Sequence, residues 1–282
     1  MILIDAPNLC YIAHYAMGEL SNDDVPTGVT FGFLNYVLSI ATKFEDNDLV
    51  FCFDSKKSWR KLILPSYKAN RDEKEYTDEE LWLFEHLHRQ VMELRSDILP
   101  NLGFNNVFMS VGFEADDLIA HLVNQYAGKR DIVIVSSDED LYQCLQPRVR
   151  IYKVKSKKVY TASAFKKEYD ITPDKWADVK AIAGCSSDNL KGVFGVGEKT
   201  AIKFWKGELK PNSKAYQQIK ISWSIYHSTL KLVKLPFDKP LRILKRKNKF
   251  NREAFIDTFD RLRFVYHLKE EQFAKWEKQF DL

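Results

Sequence analysis

Within the first 140 residues, four short apolar runs each meet acids at or just beyond their carboxyl end. MILID (1–5) closes on Asp5 and LVFCFD (49–54) on Asp54. NVFMSV (106–111) leads into GFEADD, with Glu114, Asp116 and Asp117, and DIVIVSS (131–137) leads into Asp138 and Asp140. Continuous apolar runs of this length read as strands buried on both faces. The helix-length segments between some of them make the sheet parallel. One such segment is 27–44, with Thr27 as cap; another is 77–99, opened by a capping box from Thr77 to Glu80. RVRIYKV (148–154) reads as a fifth strand, and Gly128 can close the helix that starts at EADD. The expected fold is α/β: a parallel central sheet with helices on both faces, followed after about residue 170 by a helical portion.

The acids share one edge of that sheet. Open parallel sheets bind ligands outside the carboxyl ends of their strands. A single Asp after a strand is ordinarily a turn residue, and acids in a helix's first turn gain from its dipole. Four consecutive strand ends of this kind call for a further positive charge. The cluster contains only carboxylates, and hard oxygen ligands suit Mg²⁺ or Mn²⁺ better than zinc. One Mg²⁺ keeps several waters and leaves carboxylates over. Two ions roughly 4 Å apart would use them, one activating a water and one stabilising the leaving oxygen of a phosphodiester.

Composition narrows the partner. Forty-three Lys and Arg against 39 Asp and Glu give a net charge of only +4, but the bases bunch in SKKSWRK (55–61), KVKSKK (153–158) and LRILKRKNK (241–249). Basic stripes beside separate acid clusters suit a protein that holds a polyanion and a cation together. The four cysteines lie far apart, which argues against a zinc site or disulfide framework and for a reducing cytoplasm. MILIDAPN lacks the features of a signal peptide, and no run approaches the roughly 18 apolar residues of a membrane span.

Two stretches point to nucleic acid. PSYKANRDEK (65–74) places Tyr67 beside Lys68 and Arg71 in a loop opening on the acid edge. Aromatic rings stack bases, and cations hold phosphates. In SSDNLKGVFGVGEKTAIKFW (186–205), Gly192, Gly195 and Gly197 form a tight turn between two helices, with Asp188 before it and Lys199 and Lys203 after it. Such a turn lets backbone N–H groups approach phosphate.

In order, LIDAPN, FCFDSKKSWR, YKANR, EADD, SSDEDL and SSDNLKGVFGVGEKTA resemble the 5′-nuclease family over about residues 1–206. That family comprises flap endonucleases, bacteriophage 5′–3′ exonucleases of the RNase H type, and the 5′-nuclease domain of DNA polymerase I. The resemblance implies a nuclease domain over 1–170 with a helical arch at about 65–100. It also implies a helical DNA-binding portion over 171–282 that holds a helix-hairpin-helix at about 186–206. Asp5, Asp54, Glu114 and Asp116 would serve a first Mg²⁺. Asp116 or Asp117, with Asp138, Asp140 and Asp188, would serve a second, and Mn²⁺ can substitute. Lys68 and Arg71 would contact the scissile phosphate, and Tyr67 would stack on a base. The glycine turn, with Lys199 and Lys203, would grip duplex DNA around a K⁺. The implied partners are DNA with 5′ ends, flaps or nicks, RNA–DNA hybrids, and a polymerase or single-strand-binding protein. A soluble monomer is expected, with no membrane partner and no room for a polymerase domain.

One position departs from the family pattern. Where Gly-Asp-x-x-Asp-Asn is usual, this chain reads Gly184-Cys185-Ser186-Ser187-Asp188-Asn189. A thiol is a poor ligand for Mg²⁺, so the second ion is expected to rest on fewer charges. The same departure supports an alternative reading, a protein that binds branched DNA without cutting it.

Overall fold

The computed structural model describes residues 1–71 and 75–282; Asp72, Glu73 and Lys74, the last part of the stretch 65–74, lie outside the described residues. β1 (Ile2–Asp5), wholly buried, runs straight into α1 (Ala6–Met17). A small ribbon of β2 (Ser21–Asn22) and β3 (Val25–Pro26) leads to α2 (Gly28–Phe44) and then β4 (Leu49–Cys52). The short α3 (Trp59–Ile63) precedes α4 (Asp78–Glu93). The chain continues from α4 through one wide π-type turn (Leu94–Ile98) into α5 (Leu99–Asn101). The expected capping box is present: the Thr77 N–H donates to Glu80 Oε2 at 2.9 Å, and the Glu80 N–H donates to Thr77 Oγ1 at 3.2 Å. β5 (Val107–Phe108), α6 (Ala115–Tyr126), β6 (Ile132–Val135), β7 (Val149–Lys153) and β8 (Lys158–Thr161) complete the sheet.

Strand order is β5-β4-β1-β6-β7-β8. The first five are mutually parallel, and β8 turns back antiparallel to β7. The register pairs Asp5 of β1 with Cys52 of β4, two residues before Asp54. It thereby sets the two carboxyl ends, and their acids, side by side.

Beyond β8 come α7 (Ala162–Tyr169) and α8 (Trp176–Ala183), then the hairpin β9 (Gly184–Cys185) and β10 (Leu190–Lys191). α9 (Glu198–Trp205), α10 (Lys214–Ile221) and α11 (Trp223–Val233) follow, then α12 (Arg252–Arg261), α13 (Val265–Leu268) and α14 (Glu270–Phe280). These late helices divide between two cores. Trp176, Ile182, Ala201, Ile219 and Leu232 join the face that carries α6. Phe255, Phe259, Trp276 and Phe280 join α1, α2 and α4 on the other.

The strap between these groups corrects one expectation. The basic run 241–249 has no helix. Lys245 pairs with Asp48, and the Arg246 N–H donates to Asn106 Oδ1 at 2.7 Å. Asp48 and Asn106 directly precede β4 and β5, so this run lies at the amino ends of the strands, away from the acids.

Candidate metal centre

Each acid is held by the element it ends or begins. Asp5 caps α1, accepting from the Asn8 N–H at 3.1 Å, and takes a second bond from Ser136 Oγ at 2.7 Å. The same hydroxyl accepts the Asp138 N–H at 3.0 Å. One serine that the sequence reading passed over therefore links the β1 and β6 strand ends. Asp54 accepts the Ala115 N–H at 2.7 Å, tying the end of β4 to the first turn of α6. Asp138 Oδ1 accepts the Asp140 N–H at 2.8 Å and tightens the turn after β6.

Their ionisation reports the crowding. Burial first, then the charge of Asp54, pushes Asp5 up to about 7. Burial, then Asp138, pushes Asp140 up to about 7. Asp116 rises well above the carboxylate range, from burial and then from Asp138 and Asp5. Asp54, exposed to water on one side, is also raised, by surrounding protein and by Glu114. Asp116 Oδ1 is buried without any hydrogen-bond partner among the described residues. A buried acceptor left bare among like charges costs free energy. A divalent cation with oxygen preference would remove both penalties at once, so this donor set fits one.

Two cations pair with members of the acid set. Lys68 Nζ donates to Glu114 Oε2 at 2.8 Å, and Arg71 Nη2 donates to Asp188 Oδ1 at 2.9 Å. Burial alone would raise Glu114, but Lys68 and Arg60 outweigh it and bring the carboxyl below its ordinary value. Lys68 adopts φ +57°, a left-handed conformation that costs a non-glycine residue about 1–3 kcal/mol. The loop is held there by the turn before β10. The Lys68 N–H donates to Asp188 O at 2.9 Å, Asn70 Nδ2 to Ser186 O at 2.9 Å, and Asn189 Nδ2 to Ser66 O at 2.9 Å. α4 walls a cavity of about 990 Å³ that has Trp82, His86 and Met92 on one side and Tyr11, Asp54 and Met109 among its other lining residues.

Two expected site residues have other duties. Asp117 is fully buried and gives both oxygens to Arg60, at 2.7 and 2.8 Å. It also accepts the N–H groups of Glu114 at 3.0 Å and Phe237 at 2.8 Å, so no ligand position remains for a metal. Tyr67 is only 2% exposed, and its hydroxyl donates toward Glu114 at 3.1 Å and Asp188 at 3.2 Å. It has no free face for a base and instead orients two carboxylates. Sequence reasoning also missed Lys180, whose Nζ lies 4.0 Å from Asp140 and 3.5 Å from Glu198.

α8 and α9 flank the glycine turn, with β9 and β10 pairing between them. A Cβ on Gly192 would meet the Ala183 carbonyl carbon and the Gly184 nitrogen at 2.3 Å, so only glycine fits there. Gly195 adopts φ +72°, Gly197 caps α9, and Lys199 and Lys203 are exposed. Phe194, at the tip, is 86% exposed.

Buried and crowded carboxylates at the ligand edge of a parallel sheet, paired in part with two cations, mark a nuclease of the acidic-cleft α/β class. The chain belongs to the family described as 5′-3′ exonuclease, N-terminal resolvase-like domain, whose family model matches residues 1–170. It is 33% identical to a 5′-3′ exonuclease of Bacillus subtilis over 213 residues, 72% of this chain and 68% of that protein. The fold resembles that of T5 5′-exonuclease with bound zinc, with a TM-score of 0.73 at 23% identity, covering 84% of this chain and 89% of the other. It also resembles the bacteriophage T5 flap endonuclease in a complex with DNA and metal ions, with a TM-score of 0.72 at 23% identity, covering 83% and 89%. At that identity the likeness is one of fold.

Proposed function

We propose that this nuclease uses divalent cations to hydrolyse phosphodiesters from 5′ ends or at 5′ flap junctions of DNA, in replication or repair. The observation that carries this reading is Asp116 Oδ1, buried with no hydrogen-bond partner among the described residues, on a carboxyl that burial and then the charges of Asp138 and Asp5 push upward in pKa. The likeness to T5 5′-exonuclease with bound zinc, and to the T5 flap endonuclease in a complex with DNA and metal ions, supports it. Asp5, Asp54, Glu114 and Asp116 would hold one group of ligand positions, and Asp138, Asp140 and Asp188 a second. Cations bound there supply an activated water and neutralise charge on the leaving oxygen. Mg²⁺ is the ion that an oxygen-rich set favours, and Mn²⁺ would substitute.

The chain's own residues do the positioning. Ser136 and the Ala115 N–H fix Asp5 and Asp54 before any ligand arrives. Lys68 and Arg71 neutralise Glu114 and Asp188 in this structure. A phosphate held at the carboxylates would draw on the same two cations. Residues 1–170 would carry the chemistry, and the turn at 192–197 with Lys199 and Lys203 would hold duplex beyond it, around a K⁺ on its carbonyls.

The test is cleavage of 5′-labelled flap, nicked and RNA–DNA hybrid substrates with Mg²⁺ and with EDTA. Cleavage with Mg²⁺ alone supports the reading. Binding of branched DNA in EDTA, with no cutting by either Mg²⁺ or Mn²⁺, would favour the non-cleaving alternative. In the same assay Lys68→Ala should lower the single-turnover rate at saturating enzyme about tenfold or more, because a preorganised charge acts on the transition state. A change confined to the dissociation constant would make Lys68 a tether.

A further inference from the structure

We propose that Cys185 turns the second cation position into a mixed thiolate–carboxylate site that takes a borderline ion, Zn²⁺ or Co²⁺, in preference to Mg²⁺. The inference rests on reading the cleft as a divalent-cation site and concerns what this chain's own ligand does there. One ligand atom each from Asp140, Cys185 and Asp188 lies within 4.8 Å of the others. That is close enough for one ion to touch all three. The sequence alone suggested that Cys185 would be left out of the ligand set.

The backbone holds the thiol in place. Cys185 sits in β9, paired with Leu190 of β10, immediately after the left-handed Gly184 at φ +80°. Its Sγ lies 3.0 Å from Ser187 Oγ. A hydroxyl there can shift to make way for an ion. A cavity of about 390 Å³, lined by Cys185, Ser186, Ser187, Lys180 and Glu198, opens beside the thiol. The other three thiols, Cys10, Cys52 and Cys144, are buried. Asp188 already accepts from Arg71 through Oδ1 and from Tyr67 through Oδ2. Each carboxylate oxygen accepts more than one bond, so a coordination position remains.

The choice of ion follows from ligand chemistry. Mg²⁺ favours oxygen and gives up its waters reluctantly, whereas thiolate sulfur selects borderline and soft ions. A thiol must give up its proton to become a ligand, so the ion bound here needs real affinity for sulfur. On binding, the S–H bond breaks, the metal–sulfur bond forms, and one proton leaves to solvent with no change of oxidation state. Three protein ligands leave an open position, as in zinc sites that do chemistry.

The experiment is an anaerobic titration of the full chain with Co²⁺ alone, without DNA, read by absorbance, alongside calorimetric titrations with Zn²⁺ and Mg²⁺. Wild type should develop a near-ultraviolet thiolate-to-cobalt charge-transfer band that Cys185→Ser lacks. Cys185→Asp should also lack it and should tighten Mg²⁺ by at least about tenfold, the lower end of what even outer partners of metal ligands contribute. No band in wild type, or the same band in Cys185→Ser, would overturn the proposal. Mg²⁺-dependent cleavage without the band would sink this inference and leave the nuclease reading standing. A Cys185-dependent band in a protein that cuts nothing with any metal would do the reverse.

Discussion

Replacing Asp116 by Asn is expected to lower cleavage at least about a hundredfold while raising the stability of the metal-free protein. The loss follows if Asp116 is a direct ligand, since even partners one shell further out are worth about ten- to a hundredfold in metal sites. The gain follows from what the carboxylate endures without a cation. Its Oδ1 is buried with no hydrogen-bond partner among the described residues, and Asp138 and Asp5 repel its charge.

The pH dependence has a definite sign. The folded pKa of Asp116 is raised well above 3.8. Below that unfolded value both states are protonated and the residue contributes nothing. As pH rises, the unfolded chain ionises freely while the folded one resists, so the cost of keeping Asp116 in the fold grows until its folded pKa is passed. The stability difference between Asp116→Asn and wild type in EDTA should therefore widen with rising pH. Saturating Mg²⁺ should narrow or reverse it. Melting curves of both proteins at several pH values, with EDTA and with Mg²⁺, provide the check. A difference that shrinks with pH, or full activity in the variant, would remove Asp116 from the metal centre.

The sheet was readable because buried parallel strands are continuous apolar runs and their ends carry the acids. β1, β4, β6 and β7 fall where the runs do. α1 went unread although Asp5 caps it and Pro7 opens it, because its core residues Leu9, Cys10, Ile12 and Ala13 mix with Tyr and His and blur the helical period. β8 was hidden in a Lys-rich stretch, where an exposed edge strand needs few apolar residues. Tyr67 looked like an exposed aromatic in a basic loop. Its burial depends on Asn70 and Asn189 zipping that loop to a turn more than 100 residues away, and local sequence carries no trace of such a contact. Likewise, nothing in the charge of LRILKRKNK says which end of the strands it will cross. The acid cleft is written locally, at strand ends, whereas its supporting contacts are long-range.

Asp116 and Asp117 show that difference most sharply, and Asp117→Ala is expected to cost about 3–5 kcal/mol of stability, the penalty for stranding a buried charge. The charge left behind is Arg60, whose side chain is only 2% exposed. Its Nε also donates to Leu232 O at 2.7 Å, so the pair binds α3 and α6 to the segment entering from α11. Asp117 further accepts the Phe237 N–H, and without it that donor is buried unpaired. The hint in the sequence is position: Asp117 stands three residues after the cap Glu114, where a side chain reaches back to the cap's own N–H. For a chain of this size the loss corresponds to a fall in melting temperature on the order of ten degrees. Removing both charges, as Arg60→Met with Asp117→Leu, should recover part of the stability, because an apolar pair needs no counter-ion. Urea unfolding of the single and double variants in EDTA measures both steps. Cleavage assayed well below the melting temperature completes the contrast. If Asp117→Asn abolished activity while leaving stability intact, Asp117 would be a metal ligand after all. The outcome expected here is the opposite: stability falls first, and activity falls only as far as Glu114, which Arg60 approaches to 3.9 Å, loses its place.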